Sequence, residues 1–135
     1  MLASCAAQMV TLGAISPLPG MAPLNARRVS FLGEFGGLGC RIAGHLWTEK
    51  AWGYGATGGA DAAANGTKAV EARYVALMGR IAELAAQGLG GAVYTQTTDV
   101  EAEVNGLMTY DRKVLKFDPA ILRTAHERIY DSLKR

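Results

Sequence analysis

The sequence has few of the residues that build metal and redox sites. It contains two cysteines, Cys5 and Cys40, and two histidines, His45 and His126. None of them stands in a C-x-x-C pair or in a Cys/His cluster with metal-ligand spacing, so no metal and no other cofactor is predicted. Since two cysteines allow at most one disulfide, we interpret both as free thiols. His126 falls in a charged helical stretch, which predicts a surface position.

An excess of one charge and long apolar runs are also missing. There are 14 basic and 12 acidic residues, a net charge of +2, and no basic run could follow a phosphate backbone, so no nucleic-acid partner is predicted. The apolar stretch from Met1 to Ile15 imitates a secretion signal, but no Lys or Arg precedes it and it is too short to span a bilayer. We therefore predict a soluble protein with no signal peptide and no membrane partner, and the sequence leaves its compartment unknown.

The chain length sets a further bound. One ordinary domain fits into 135 residues, but a complete (β/α)8 barrel needs about 250 residues. Half of the residues are hydrophobic and 19% are charged, which is typical of a globular chain. Glycine is in excess, with 17 residues against a norm of about 7%. This excess predicts many tight turns or close backbone approaches.

The hydrophobic pattern predicts two strands and two helices. Short runs of β-branched and aromatic residues indicate strands, and apolar residues at three- and four-residue steps indicate helices. These patterns place a strand at 28–34, a long loop at 41–66, a helix at 68–87, a strand at 91–97 and a helix at 119–133. Gly88 is expected to end the first helix, and Asp118 with Pro119 to begin the last one. The inward-facing residues of the last helix are expected to be Ile121, Leu122, Ala125, Ile129 and Leu133.

A strand, a crossover with a helix and a second strand are typical of a βαβ unit with a parallel sheet. In such folds, ligands bind at the carboxyl ends of the strands. Glu34 follows the first strand beside several glycines, where a carboxylate can project into a cleft, although its position fits a solvated loop acid equally well. The polar residues at the end of the second strand are Thr95, Gln96, Thr98, Asp99, Glu101 and Glu103.

Two motif matches do not predict a function. The G-x-G-x-x-G match at Gly53–Gly58 has no strand before it and the next helix begins too late, so dinucleotide binding is not expected. The glycosylation sequon at Asn65–Thr67 matters only if the chain is secreted.

Two segments, Phe31–Gly39 and Ala92–Arg112, resemble glycoside hydrolase family 2, the β-galactosidase and β-glucuronidase group. The second segment is long and specific, and the first lies at the right distance before it. The resemblance implies an α/β fold that is a partial (β/α)8 (TIM) barrel, made of its last βαβα units with long strand-to-helix loops. Residues 17–135 would be the C-terminal portion of this catalytic barrel, after an altered or irregular segment at residues 1–16.

The resemblance also implies roles for single residues. Glu34, followed by an aromatic and a small residue, matches the nucleophile of the family's retaining mechanism at the end of the seventh barrel strand. Tyr94 matches an aromatic residue of the sugar-binding floor on the eighth strand, with Gln96 and Asp99 as partners of sugar hydroxyls. Trp47 is a further candidate for contact with the sugar.

The second catalytic group is not found in the sequence. The family's acid/base Glu lies on the fourth strand and usually follows an Asn, and this chain has no Asn-Glu pair. Retaining hydrolysis needs two carboxyl groups roughly 5–5.5 Å apart. Glu101 and Glu103 are the nearby carboxylates, but the resemblance places them in a loop after the eighth strand, so neither is expected to act as the acid/base.

Three functions follow from these expectations. The first is a β-galactosidase-like fragment of a retaining glycoside hydrolase, which hydrolyses O-glycosidic bonds in its complete form and is inactive as a lone chain. The second is a carbohydrate-binding or structural remnant without catalysis, in which Trp47, Trp52, Tyr54 and Tyr94 would stack on a sugar, although ordinary packing explains Trp47 and Trp52 at least as well. The third is an assembly in which copies or a partner cover open sheet edges, which predicts self-association.

Overall fold

The computed structural model describes residues 27–54 and 65–134. Its mixed α/β arrangement, predicted from the hydrophobic pattern, consists of β1 (Ser30–Gly36), α1 (Asn65–Ala86), β2 (Leu89–Thr95) and α2 (Pro119–Ser132). The expectations for residues 1–16, for Cys5 and for most of the Gly53–Gly58 motif lie outside the described residues.

β1 and β2 lie side by side and parallel, which confirms the predicted βαβ unit. The register joins Leu32 to Ala92 and Phe35 to Tyr94, with a shift between the two pairs. β1 has two residues in this interval and β2 has one, so β1 bulges at 33–34. β1 begins and ends two residues later than predicted, and β2 begins and ends two residues earlier. The limits of each strand are set by hydrogen bonding between the two backbones, which the hydrophobic pattern does not specify.

α1 buries one apolar face, as its periodicity predicts. The buried residues of this face are Val70, Tyr74, Leu77, Met78, Ile81 and Leu84. The helix begins three residues before the predicted start and ends one residue before the predicted end. Gly88 then adopts a φ of +108°, a left-handed conformation that glycine reaches without a steric penalty. The chain turns at this glycine and enters β2 at once.

α2 begins as predicted but buries a narrower stripe. The Asp118 side chain accepts a 2.8 Å hydrogen bond from the backbone N–H two residues later, and proline takes the first turn. Leu122 and Ala125 are buried, whereas Ile121 and Leu133 are 39% and 59% exposed, so the inward prediction is wrong for the latter two. α2 packs mainly on α1, and a single neighbouring helix covers only part of its circumference.

The predicted surface position of His126 is also wrong. His126 is half-buried, and its Nε2 lies 2.6 Å from the hydroxyl oxygen of Tyr74 on α1. His126 follows Leu122 by four residues and therefore shares the stripe of α2 that faces α1. Its position on the helix, and not the charge of its sequence neighbours, decides its burial.

The two faces of the sheet have different surroundings. Leu32, Phe35 and Tyr94 belong to the core that packs beneath the helices. On the opposite side, Phe31 is 56% exposed and Val93 is 48% exposed. Parallel sheets are normally covered on both faces, so this apolar exposure is unusual for a finished fold. We call the second side the open face, defined by Phe31, Gly91 and Val93.

The loops after the two strands are tied together by backbone hydrogen bonds. Tyr54 bonds to Gly37 and Gly39, and Trp52 bonds to Ala102 and Val104, at distances of 2.7–3.0 Å. Within the described part of the predicted long loop, residues 52–54 are extended and pair with the segments that follow the two strands, whereas residues 41–51 contain turns. No helix in the described part of the chain has both the length and the apolar character needed to cross a membrane.

Candidate functional site

Glu34 lies at the carboxyl end of the sheet, where the sequence predicts a ligand site. Its side chain is half-buried, and Oε1 accepts a 2.8 Å hydrogen bond from the Oγ1 hydroxyl of Thr95. Thr95 follows Val93 by two residues, so side-chain alternation puts it on the side of the open face. The two parallel strands thus bring a carboxylate and a hydroxyl together at the edge where such folds bind ligands.

Two glycines shape the turn beside Glu34. Gly36 and Gly37 have φ values of +99° and +67°, and any larger residue at these positions would be strained. A Cβ at Gly36 would lie 2.3 Å from the ring of Tyr94, and one at Gly37 would lie 3.0 Å from the ring of Tyr54. The glycine excess of the sequence therefore has a structural cause here, because the backbone passes directly against aromatic rings.

Three polar side chains form a hydrogen-bonded group next to this turn, which we call the amide cluster (Gln96, Glu103 and Asn105). Gln96 Nε2 donates to Asn105 Oδ1 at 2.8 Å and to Glu103 Oε2 at 3.2 Å, and Asn105 Nδ2 donates to the same Glu103 oxygen at 3.3 Å. Asn105 Nδ2 also lies 3.9 Å from the place of a Cβ on Gly37. The amide cluster therefore adjoins the turn that follows Glu34.

Tyr94, the expected residue of a sugar-binding floor, packs against the helix-covered core. Its ring packs edge-on against Phe35 and Tyr74, with centroid distances of 5.5 and 4.9 Å. Burial raises the pKa of its hydroxyl. Because Tyr94 and Thr95 are consecutive in β2, their side chains point to opposite faces of the sheet. Tyr94 therefore belongs to the helix-covered core.

Asp99, the expected partner of a sugar hydroxyl, lies in a buried ion pair with Lys116. It is 5% exposed, and its Oδ1 accepts from Lys116 Nζ at 2.6 Å and from the Gly106 backbone N–H at 2.8 Å. Lys116 also donates to the backbone oxygens of Cys40 and Val104. Burial raises the pKa of Asp99 and lowers that of Lys116, while their mutual contact opposes both shifts. The buried Lys116 ammonium requires a counter-ion, and Asp99 supplies it. This ion pair, with the bonds from Lys116 to the Cys40 and Val104 backbone oxygens, holds together the loops that follow β1 and β2.

Trp47 lies on the surface beside Tyr110 and not in the amide cluster. It is 64% exposed, and its ring meets that of Tyr110 edge to face at 5.6 Å. His45, two residues before Trp47, and Asp111, directly after Tyr110, lie close together in space, with 2.9 Å between Nδ1 and Oδ2. The Thr109 hydroxyl, with His45 and a backbone N–H, lowers the pKa of Asp111 to about 2.

Besides Tyr94, the ring beside the Glu34 turn is that of Tyr54, which packs against Trp52. Their ring centroids lie 5.7 Å apart, nearly perpendicular, and Trp52 is 44% exposed. Trp52 also forms an isolated bridge with Glu103 of the amide cluster. The exposed aromatic surface beside the site therefore comes from the loop after β1, and not from β2.

Sequence reasoning gave no role to Asn105, which is fully buried and central to the amide cluster. The sequence signal that could have drawn attention to it is the glycine that follows, because Asn-Gly is typical of tight turns. In the structure, a Cβ at Gly106 would lie 2.2 Å from the Asp99 backbone nitrogen. An Asn before a glycine in so tight a turn has little freedom of placement. Cys40 is a buried free thiol, and among residues 27–54 and 65–134 no group of three or more acidic, His or Cys side chains could hold a metal ion.

Comparison with protein-family models gives no match, and comparison with curated proteins gives no significant match.

Proposed function

We propose that this chain is the C-terminal part of a retaining glycoside hydrolase barrel of the family 2 type, with Glu34 as its nucleophile. The observation that carries the proposal is the 2.8 Å hydrogen bond between Glu34 and Thr95, which joins the ends of two adjacent parallel strands. Active sites of (β/α)8 barrels are built at this end of the strands. The resemblance of the two sequence segments supplies the reaction class.

The open face supports the barrel part of this proposal. Phe31 and Val93 are apolar and exposed on the side of the sheet away from the helices. In a closed barrel that side is the interior, which is filled by layers of bulky side chains. The two strands of the described residues supply only part of such layers, so the remaining strands would come from outside residues 27–54 and 65–134.

The chemistry assigned to Glu34 is attack on the anomeric carbon. The Thr95 hydroxyl fixes one carboxylate oxygen, Oε1, which leaves Oε2 as the attacking atom. A glycosyl-enzyme ester forms while the bond to the leaving-group oxygen breaks, and a second carboxyl group must protonate that oxygen. In this proposal, that acid belongs to a strand outside the described residues.

Glu103 is a poor replacement for the missing acid. Both amide nitrogens of its neighbours, Gln96 and Asn105, donate to its Oε2, an arrangement suited to a carboxylate that accepts hydrogen bonds. We therefore expect the lone chain not to hydrolyse alkyl glycosides, whose leaving groups need protonation.

The nucleophile is tested with a sugar whose leaving group needs no acid. A 2,4-dinitrophenyl 2-deoxy-2-fluoro-β-galactoside, with the glucuronide as a second probe, is incubated with the purified chain, and peptide mass mapping locates the label. The expected result is a label on Glu34, absent in Glu34→Gln and retained in the matched control Glu103→Gln. A label on a different residue contradicts the assignment.

The second candidate is a carbohydrate-binding or structural remnant without catalysis. The exposed Trp52 beside Tyr54 favours it, because sugar binding to aromatic rings needs no second carboxylate. Calorimetric titration with galactose and glucuronic acid separates the two candidates. Binding without any labelling of Glu34 supports the remnant.

A further inference from the structure

Trp47 and Tyr110 form an aromatic pair on the surface, outside the site built around Glu34. Trp47 is 64% exposed and Tyr110 is 37% exposed, and the rings meet edge to face at a centroid distance of 5.6 Å. In an edge-to-face pair, one ring supports the other and leaves aromatic faces open to solvent. An exposed pair of this kind adds little to the hydrophobic core, so core packing does not explain why two aromatic residues lie here.

The pair is held in place by side chains next to it in the sequence. His45, two residues before Trp47, lies 2.9 Å from the carboxylate of Asp111, which directly follows Tyr110. The other oxygen of Asp111 accepts from the Thr109 hydroxyl at 2.7 Å. These contacts join two loops that are 66 residues apart in sequence. The rings are thus ordered before any ligand arrives, which lowers the entropy cost of binding.

Both loops follow the carboxyl ends of the parallel strands. The loop with Trp47 comes after β1 and is anchored by Arg41, whose guanidinium donates to the Ala51 backbone oxygen at 2.9 Å. The loop with Tyr110 comes after β2 and is anchored by the buried Lys116, which donates to the Cys40 backbone oxygen at 2.8 Å. The aromatic pair therefore belongs to the same end of the sheet as Glu34.

The polar groups around the pair suit a neutral, hydroxylated ligand. Asp111, Arg112 and Lys113 follow Tyr110 directly, with Lys113 75% exposed at its side chain and 3.9 Å from the Asp111 carboxylate. Both signs of charge are present and close together, so neither an anion nor a cation is favoured. Hydroxyl groups can donate to the carboxylate and accept from the cations, while the apolar side of a sugar ring packs on an indole.

We propose that Trp47 and Tyr110 form a subsite for a second pyranose unit of a β-linked oligosaccharide, with His45 and Asp111 as positioning residues. The identity of the ligand as a saccharide rests on the proposed function, but binding here requires neither Glu34 nor a covalent step. The subsite extends recognition beyond the sugar that Glu34 would attack. Because the subsite adds contacts that Glu34 does not make, we expect the affinity to rise with the number of sugar units.

The test is a binding series on the whole chain. Because the sequence has two tryptophans, Trp52→Phe leaves Trp47 as the only indole fluorophore. This protein is titrated with methyl β-galactoside, β-linked galactobiose and galactotriose, and with the matching glucose series, and calorimetry repeats the titrations on the unmodified chain. We expect the Trp47 emission to change with the di- or trisaccharide, whose affinity exceeds that of the methyl glycoside by about 10-fold or more, equivalent to about 1.4 kcal/mol.

Matched variants separate stacking from positioning. Trp47→Ala should reduce the affinity for the longer sugars to that of the methyl glycoside. His45→Ala should weaken it several-fold, while His45→Asn, which retains an N–H for the Asp111 carboxylate, should stay within about 2-fold of the unmodified chain. Circular dichroism confirms that each variant is folded.

The outcomes distinguish this inference from the function proposed for Glu34. Binding that is lost in Trp47→Ala but kept in Glu34→Gln supports the subsite, whether or not Glu34 accepts the fluoro-sugar label. Equal affinity for one and for three sugar units, no change in Trp47 emission, or unchanged binding in a folded Trp47→Ala variant overturns it.

Discussion

The two faces of the sheet share the same strands but differ in how much of their apolar surface is buried. On the helix-covered face, the ring of Tyr94 packs edge-on against those of Phe35 and Tyr74, with centroid distances of 5.5 and 4.9 Å. On the open face, Phe31 and Val93 remain about half exposed. The hydrogen bond between Glu34 and Thr95 lies on the unfinished side. The hydrophobic core therefore forms without the open face, whereas the proposed chemistry depends on the open face.

The largest expected effect comes from the buried ion pair that holds the loops of the site. Lys116→Met leaves the Asp99 carboxylate buried without a counter-ion, which costs about 3–5 kcal/mol of unfolding free energy. In this variant, the burial that raises the pKa of Asp99 is opposed only by the hydrogen bond from the Gly106 backbone N–H, so we expect a folded pKa above the unfolded value. The variant is therefore least destabilised below the ordinary Asp pKa, and it loses stability as the pH rises through the folded value.

Guanidinium unfolding at several pH values measures this effect. The double variant Asp99→Asn with Lys116→Met is the control, and it should be more stable than Lys116→Met alone at neutral pH. Equal stability of the two variants would mean that the carboxylate is not the source of the cost.

A second prediction compares the two faces directly. Leu77→Ala, a truncation in the helix-covered core, should lower the unfolding free energy by about 2–5 kcal/mol. Val93→Thr, which keeps a β-branched side chain on the open face, should change it by less than about 0.5 kcal/mol. Both are measured by urea unfolding at low protein concentration, and a large loss in Val93→Thr would show that the open face is covered within the chain.

A third prediction concerns the association of the open face. We expect the chain to self-associate at micromolar concentration, because an exposed apolar face and an unpaired strand edge favour contact with another copy. Phe31→Ser should shift light-scattering masses toward the monomer without changing the helical circular dichroism. A strictly monomeric unmodified chain would contradict this expectation.

The smallest effect is expected at Asp111, on the exposed aromatic surface. Its carboxyl has a folded pKa of about 2 against an ordinary value of 3.8. A depressed folded pKa contributes stability that is present above pH 3.8 and is lost as the pH falls toward 2. Asp111→Asn should therefore show a smaller decrease in thermal midpoint between pH 5 and pH 2 than the unmodified chain does, and an equal decrease would argue against the contacts seen at this carboxylate.

Local patterns were sufficient to predict the helices, the parallel pair and their caps. Residues close together in sequence specify both the helical periodicity that ends at Gly88 and the cap at Asp118. Long-range packing decided the rest. Ile121 is exposed because one helix alone covers α2, and Asp99 is buried because Lys116, 17 residues away, needs a counter-ion.

The candidate site shows the same division between local and long-range information. The position of Glu34 at a strand end follows from the pattern of β1. Its contact with Thr95 depends on the register between β1 and β2, which no local pattern specifies. The side of the sheet to which Tyr94 points likewise depends on that register and on the bulge before Phe35, which determine which side chains share a face.

The most direct test of the account is the mass mapping of the chain after reaction with the dinitrophenyl 2-fluoro-β-glycosides. The account predicts one covalent sugar, attached to Glu34 and absent in Glu34→Gln. A sugar attached to Glu103, or to another carboxylate while Glu34 stays free, would contradict it.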